Sequence, residues 1–203
     1  TNPNPQEVTI ADLDSDGDRV AAGTCAITTI TQRPGTVDIL LGNGDATFQP
    51  SAGYPAGDGV GGIVSADFTG DGTADLAITN GVAINVTHAV VVLQGNGDGS
   101  FHAPVAFDTS GIPTRLVAGR FDGDAALDLA VLAAGGSVVS LLLGNGDGTF
   151  QSRVDYPTGF GPSALTASDL DGDGDLDLAA TAFTALTLGG SIGVLRGDGA
   201  GGF

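Results

Sequence analysis

Hydrophobic and polar positions along this chain alternate in short bursts. Residues 128–150, "DLAVLAAGGSVVSLLLGNGDGTF", join runs of branched apolar residues through Gly-rich breaks. No stretch sustains the i, i+3, i+4 spacing of an amphipathic helix. β-branched and aliphatic runs of four to eight residues bounded by Gly, Asn and Asp are strand signals, and Asn-Gly between two such runs is the strongest short hairpin signal. After each such turn comes a segment like "QSRVDYPTG", then a short apolar stretch that leads into an acidic loop. Each unit therefore predicts about four short strands.

The units repeat. The stretch "SDLDGDGDLDLAA" at Ser168–Ala180 has relatives in "ADLDSDGDRVAAG" from Ala11, "ADFTGDGTADLAI" from Ala66 and "GRFDGDAALDLAV" from Gly119. Their first loop positions, Asp12, Asp67, Arg120 and Asp169, are 55, 53 and 49 residues apart. A second motif keeps the same phase: "LLGNGDATF" ending at Phe48, "LQGNGDGSF" at Phe101, "LLGNGDGTF" at Phe150 and a degraded "RGDGAGGF" at Phe203. Two independent markers with one period signal stacked or radially arranged units, and four strands in roughly 50 residues is the size of a propeller blade. The expectation is an all-β fold, a β-propeller built from about four visible four-stranded blades. It forms a single repeat domain over 1–203, with units near 1–55, 56–108, 109–157 and 158–203. The fourth unit ends at Phe203, where the others run on into their last strand. That leaves part of a longer propeller, an irregular four-bladed ring, or copies that complete one another; the first is favoured.

Five aspartates at alternating positions in one loop repel one another unless something neutralises them. In the fourth copy Asp169, Asp171, Asp173 and Asp177 fall at loop positions 1, 3, 5 and 9, Gly174 falls at 6, and the carbonyl of Asp175 is available at 7. Alternating oxygens around a sharp Gly turn make a cage for a hard cation, and Ca2+ suits it better than Mg2+, which demands octahedral geometry and keeps its waters. An EF-hand is excluded, because its bidentate acid at position 12 is replaced by Gly23, Ile78, Val131 and Ala180. The second copy offers Asp67, Thr69, Asp71, Thr73 and Asp75. The first offers Asp12, Asp14 and Asp16, with Val20 at position 9 and Asp18 nearby. The third offers Asp122, Asp124 and Asp128, but has Arg120 at position 1, where a guanidinium can take the place of a metal, and Ala125 in place of the glycine. The expected affinity order is fourth, second, first, third, with up to four structural Ca2+ sites. The competing reading is a set of metal-free acidic turns, since Asp and Gly are common turn residues.

Composition narrows the partners. The formal net charge is −18, from 24 acids (Glu7 is the only glutamate) against six arginines and no lysine. Such a field repels nucleic-acid phosphates and anionic membranes and attracts cations or basic protein surfaces. No apolar run reaches the length of a transmembrane helix, and residues 1–20 lack a signal peptide's basic start and apolar block. A chain that begins with Thr and holds no Met is expected to be processed or trimmed. Cys25 is the only cysteine, read as a buried inert thiol.

The pairing of D-x-D-x-D-G-x-x-D with G-N-G-D-G-x-F resembles the FG-GAP/VCBS repeat family, the blades of integrin α-subunit propellers and of many secreted microbial proteins. The resemblance covers essentially the whole chain. It implies calcium-braced blades in an extracellular setting (secreted or cell surface), with adhesion, ligand binding or assembly as the usual roles.

Other motifs are read as structure. The G-N-G-D turns with Asp45, Asp98 and Asp147 are hairpin turns rather than secondary cation sites, and Phe48, Phe101, Phe150 and Phe203 are expected to pack between blades. "RGD" at Arg196–Asp198 falls where the other repeats carry the same turn, and "NVT" at Asn85–Thr87 is a glycosylation sequon only in a glycosylating host. His88 and His102 sit in no nucleophile motif, and the clustered carboxylates already belong to the cages, so no catalysis is expected. The expected function is a noncatalytic binding, adhesion or assembly module with a protein ligand or self-assembly partner. The alternatives are a calcium-dependent lectin with a glycan partner, disfavoured by the lack of Trp and the presence of only Tyr54 and Tyr156, and an accessory domain of a secreted enzyme.

Overall fold

In the computed structural model the described residues are 5–15, 17, 20–25, 35–43, 45, 47–57, 59–81, 88–133, 135–159, 161–184 and 189–203. Asp16, Asp18 and the 85–87 sequon lie outside them, as does the side chain of Cys25. The first sheet holds β1 (Pro5–Ala11), β2 (Val20–Cys25), β3 (Gly35–Leu40) and β4 (Ala52–Gly57). The second holds β5 (Val60–Ala66), β6 (Asp75–Asn80), β7 (Ala89–Leu93) and β8 (Val105–Asp108). The third holds β9 (Pro113–Gly119), β10 (Asp128–Ala133), β11 (Val138–Leu142) and β12 (Val154–Pro157). The fourth holds β13 (Pro162–Ser168), β14 (Asp177–Thr184) and β15 (Gly189–Leu195). Each is an antiparallel meander in chain order.

The sheets pack face to face in sequence, β1 against β5, β5 against β9 and β9 against β13, so the first strands form the inner row of a propeller. Each joint owns a core. Val37 and Ile39 meet Leu76, Ile78 and Leu93; Ala77, Val90 and Val92 meet Leu129, Val131 and Leu142; Ala130, Leu132, Val139 and Leu141 meet Leu178 and Ala180. Because strand side chains alternate between faces, a middle blade must be apolar on both. That is why β7 and β10 are buried at every position while β3 alternates. Each fully buried Leu or Val contributes about 1.5–3 kcal/mol.

Between the third and fourth strands the G-N-G-D turn closes a small bridged excursion, pairing Gly42 with Phe48, Gly95 with Phe101 and Gly144 with Phe150. The first glycine is set by close approach. A Cβ on Gly144 would run into the carbonyl oxygen of Leu127, and Gly95 and Gly197 meet Ala74 and Leu176 in the same way.

The motif phenylalanines do not all pack between blades. Phe101 and Phe150 are 9% exposed, whereas Phe48 is 50% exposed. In the buried cases the ring meets an aromatic from the fourth strand of the preceding blade, Tyr54 with Phe101 at 5.2 Å and Phe107 with Phe150 at 5.1 Å between centroids. Tyr156 meets Phe203 likewise at 5.1 Å. Phe48 belongs to the first blade, in front of which no such strand lies among the described residues.

Candidate metal centre

Each acidic loop joins the first two strands of its blade. In the second and fourth loops two left-handed glycines, Gly70 (φ 75°) with Gly72 (φ 88°) and Gly172 (φ 84°) with Gly174 (φ 98°), bend the backbone around the carboxylate at position 1. Asp67 Oδ1 accepts from the amides of Gly70 at 2.7 Å and Asp71 at 3.2 Å, and its Oδ2 from Gly72 at 2.8 Å. Asp169 accepts from Gly172 at 2.6 Å and Gly174 at 3.0 Å. In the first loop the bends are at Ser15 (φ 58°) and Gly17 (φ 89°), and the Gly17 amide donates to Asp12 Oδ2 at 3.1 Å. The glycine at position 4 is a feature that sequence reasoning, fixed on position 6, passed over.

The third loop departs from this course. Gly123 is left-handed (φ 76°), but Ala125 is not among the positive-φ residues, and Arg120 Nε donates to the Ala125 carbonyl at 3.1 Å. A guanidinium therefore lies along this loop at the position where the other three carry an aspartate. Asp122 and Asp124 accept local amides, from Asp124 at 3.1 Å and Ala126 at 2.7 Å.

Position 5 repeats as an Asx turn. Asp71 accepts from the Thr73 amide at 2.7 Å, which holds its carboxyl below the ordinary carboxylate value, and Asp173 accepts from the Asp175 amide at 2.9 Å. Thr69 Oγ1 donates to Asp67 Oδ1 at 3.2 Å.

Position 9 has a role that the spacing alone did not disclose. Asp75 takes the amides of Phe68 at 2.8 Å and Thr69 at 3.1 Å on Oδ2, and that of Gly95 at 2.9 Å on Oδ1. Asp128 takes Phe121 at 2.7 Å and Gly144 at 2.8 Å, and Asp177 takes Leu170 at 2.8 Å and Gly197 at 2.9 Å. One buried carboxylate thus ties the acidic loop to the G-N-G-D turn of the same blade. Burial pushes the carboxyls of Asp75 and Asp128 up, against the opposing pull of those amides. In the fourth blade the Leu170 and Gly197 amides win and hold the Asp177 carboxyl below the ordinary value.

Among the described residues one group gathers three carboxylates: oxygens of Asp169, Asp171 and Asp177 all lie within 4.8 Å of one another. Asp173 and Asp175 stand outside that group. Arg196 Nη1 lies 3.2 Å from Asp171 Oδ2, at the open side of the same cluster. In the first loop Asp12 Oδ1 is buried with no hydrogen-bond donor among the described residues. A buried carboxylate oxygen without a donor costs about 1–3 kcal/mol or more unless a cation sits against it. These donor sets, hard oxygens at positions 1, 3 and 9 of the fourth loop and at positions 1 and 3 of the first, fit a divalent cation that favours oxygen ligands.

The remaining acids are occupied elsewhere. Asp45, Asp98 and Asp147 each accept from both the hydroxyl, at 2.5 Å, and the amide of the residue two positions on. Those bonds hold all three carboxyls below the ordinary value. Asp198 likewise accepts from Ala200 and Gly202, so the R-G-D tripeptide is a turn of the same kind. No helix of the described residues is long and apolar enough to cross a membrane.

Comparison with known proteins gives two findings. A family model described as FG-GAP-like repeat matches residues 26–78 and 121–180. Among solved structures, a chain of the Photorhabdus luminescens Tc holotoxin pore, carrying the TccC3-D651A mutation, is similar over 100% of this chain at 16% identity and TM-score 0.50. The likeness is one of fold, and this chain spans only 9% of that chain's length. No curated protein matches.

Proposed function

Because this chain belongs to the FG-GAP-like repeat family, we propose that it is a noncatalytic, calcium-braced extracellular module that acts through protein–protein contact. The observation that carries the calcium part is the convergence of Asp169, Asp171 and Asp177 within 4.8 Å. Asp169 and Asp171 would hold the ion at the loop's open side, with Asp177 beneath. In the first loop Asp12, with its undonated oxygen, and Asp14 would do the same. When bound, the ion neutralises clustered carboxylates and fixes the loops that join the first two strands of each blade. The order of loop quality that follows from the geometry puts the third last, since Arg120 already occupies it.

The protein-contact part rests on the repeat architecture and on what the side chains are already engaged in. Clustered acids are tied to loop amides, and both tyrosines are set in blade joints: Tyr54 against Phe101, and Tyr156 against Phe203 with its hydroxyl donating to the Gly201 carbonyl at 2.9 Å. That withdraws both tyrosines from the aromatic platform a lectin would use.

Thermal unfolding in chelator, in millimolar Ca2+ and in equal Mg2+ tests the reading. A site with Kd of about 0.1–1 mM adds about 0.4–1.4 kcal/mol at millimolar calcium, and each kcal/mol moves Tm by about 2–4 °C for a chain of this size. A calcium-specific rise, reduced by Asp171→Ala, is the expected result. No rise with either ion would leave the loops as metal-free Asx turns.

A further inference from the structure

The joint between the second and third blades holds a groove of about 510 Å3, within the ~300–1,000 Å3 of ligand sites. Both walls belong to blades that have a packed neighbour on either side. The apolar lining is Leu142 and Phe150, both buried, with the half-buried ring of Phe107 and the methyl group of Ala106. The rest of the lining is polar and charged. Asp108 comes from β8 of the second blade, and Asp155 from β12 of the third, with Gln151, Ser152 and Arg153 from the segment that leads into β12.

These charges break the repeat. Counted from the motif phenylalanine, Arg153 stands where the first two blades have Ser51 and Pro104, and Asp155 where they have Gly53 and Ala106. Asp108 stands where the first and third blades have Pro55 and Pro157. The joint between the first two blades forms without any of them, so folding does not require them. Arg153 Nη1 pairs with Asp108 Oδ2, and its Nε lies 3.3 Å from Asp155 Oδ2. The buried Ser140 hydroxyl donates to Asp155 Oδ1 at 2.6 Å, so Asp155 is held through both oxygens. Asp108 is held less firmly: its side chain is 66% exposed and engages Oδ2 alone among the described residues. Two carboxylates against one guanidinium leave an excess of negative charge, in a chain of net charge −18, so the field at the groove favours a cation.

We infer that this groove seats an arginine side chain presented by a basic partner protein, its stem against Ala106 and Phe107 and its guanidinium on Asp108. This deepens the protein-contact reading above and rests on it, naming the partner's chemistry. The argument is charge complementarity on an apolar lining. Arg153 already shows that the rim accommodates a guanidinium, since Asp108 and Asp155 hold one between them. Phe107 adds a π surface of the kind on which a planar guanidinium stacks. An acidic side chain would meet Arg153 but also two carboxylates, and the field of the whole chain repels it. Arginine is also among the side chains that most often anchor protein interfaces.

The test is an amide-resolved NMR titration of the 203-residue chain at low ionic strength, with acetyl-Gly-Arg-Gly-amide and with its glutamate counterpart. The arginine peptide is expected to shift the amides of Ala106, Phe107, Asp108 and residues 151–155 saturably, with a Kd on the order of 1 mM. Asp108→Asn should weaken it about two- to fivefold, the worth of one exposed charge pair. Ala106→Phe fills the groove and should abolish binding; the other blades carry Gly53 and Asp155 at that position, so the strand tolerates different side chains there. Asp45→Asn removes an equal charge from the exposed turn of the first blade and should leave binding unchanged. Melting shows whether each variant folds, and if Ala106→Phe does not, Asp108→Asn at its exposed position decides alone. No saturation by about 10 mM peptide, shifts scattered over the surface, an Asp45→Asn loss equal to that of Asp108→Asn, or binding of the glutamate peptide in its place would each overturn the proposal. Calcium is read separately through Tm, so a chain that rejects the arginine peptide yet melts higher in calcium loses this site and keeps the calcium-braced module.

Discussion

Asp128→Ala removes a buried carboxylate from a loop whose first position is an arginine. It therefore separates the hydrogen-bonding role of position 9 from any metal role. The carboxylate is fully buried and accepts the amides of Phe121 at 2.7 Å and Gly144 at 2.8 Å. Hydrogen bonds to a charged group contribute about 1.5–3 kcal/mol each, and a buried donor left without an acceptor costs about 1–3 kcal/mol. Against that stands what the wild type already loses. Burial, together with the charges of Asp122 and Asp124, disfavours the ionised form, so its removal recovers part of the cost. The net expectation is a destabilisation of about 3 kcal/mol, read as the shift in urea midpoint multiplied by the m-value. Because Arg120 lies along the third loop, the loss should be the same in chelator and in calcium. A loss below about 1 kcal/mol in chelator, or one that appears only with calcium, would refute the account of position 9 as the tie between loop and turn.

Two further outcomes follow. Gly144→Ala places a Cβ against the Leu127 carbonyl, backbone that a rotamer change cannot move, so it should cost about 1–3 kcal/mol in the same urea assay; a neutral result would mean the turn shifts freely. The Asp147 carboxyl is held below its ordinary value chiefly by the Thr149 hydroxyl, then by the Thr149 amide. With the folded pKa depressed, this stabilisation is present above the unfolded value and is lost as pH falls through the folded one. Thr149→Val should therefore raise the Asp147 titration midpoint followed by NMR, while an unmoved midpoint would assign the shift elsewhere.

Much of the architecture was legible because two motifs kept one phase. The acidic loop marks the step from first to second strand and the G-N-G-D-x-F run marks the step from third to fourth, so blade and period follow from their spacing. The partners of position 9 were not legible in that way. Asp128 reads locally as one more oxygen in an alternating row, yet its bond to Gly144 crosses 16 residues into the other motif. A signal was present nonetheless. Asp75, Asp128 and Asp177 each stand at the first residue of a strand that continues Leu-Ala, where a charge enters the core and must find donors. The glycines at position 4 were passed over for a different reason: an oxygen cage is argued from ligands, whereas the backbone's need to go left-handed twice in one loop shows only in its dihedral angles.

Phe48 carries nearly the same motif as Phe101 and Phe150, with Ala46 where they have Gly99 and Gly148. Their environments differ because burial in a row of blades is set by the neighbour, not by the residue. The ring that covers Phe101 or Phe150 comes from the preceding unit, as does the carbonyl that receives Gly99 or Gly148. Each unit therefore specifies half a joint on either face, and only juxtaposition completes it.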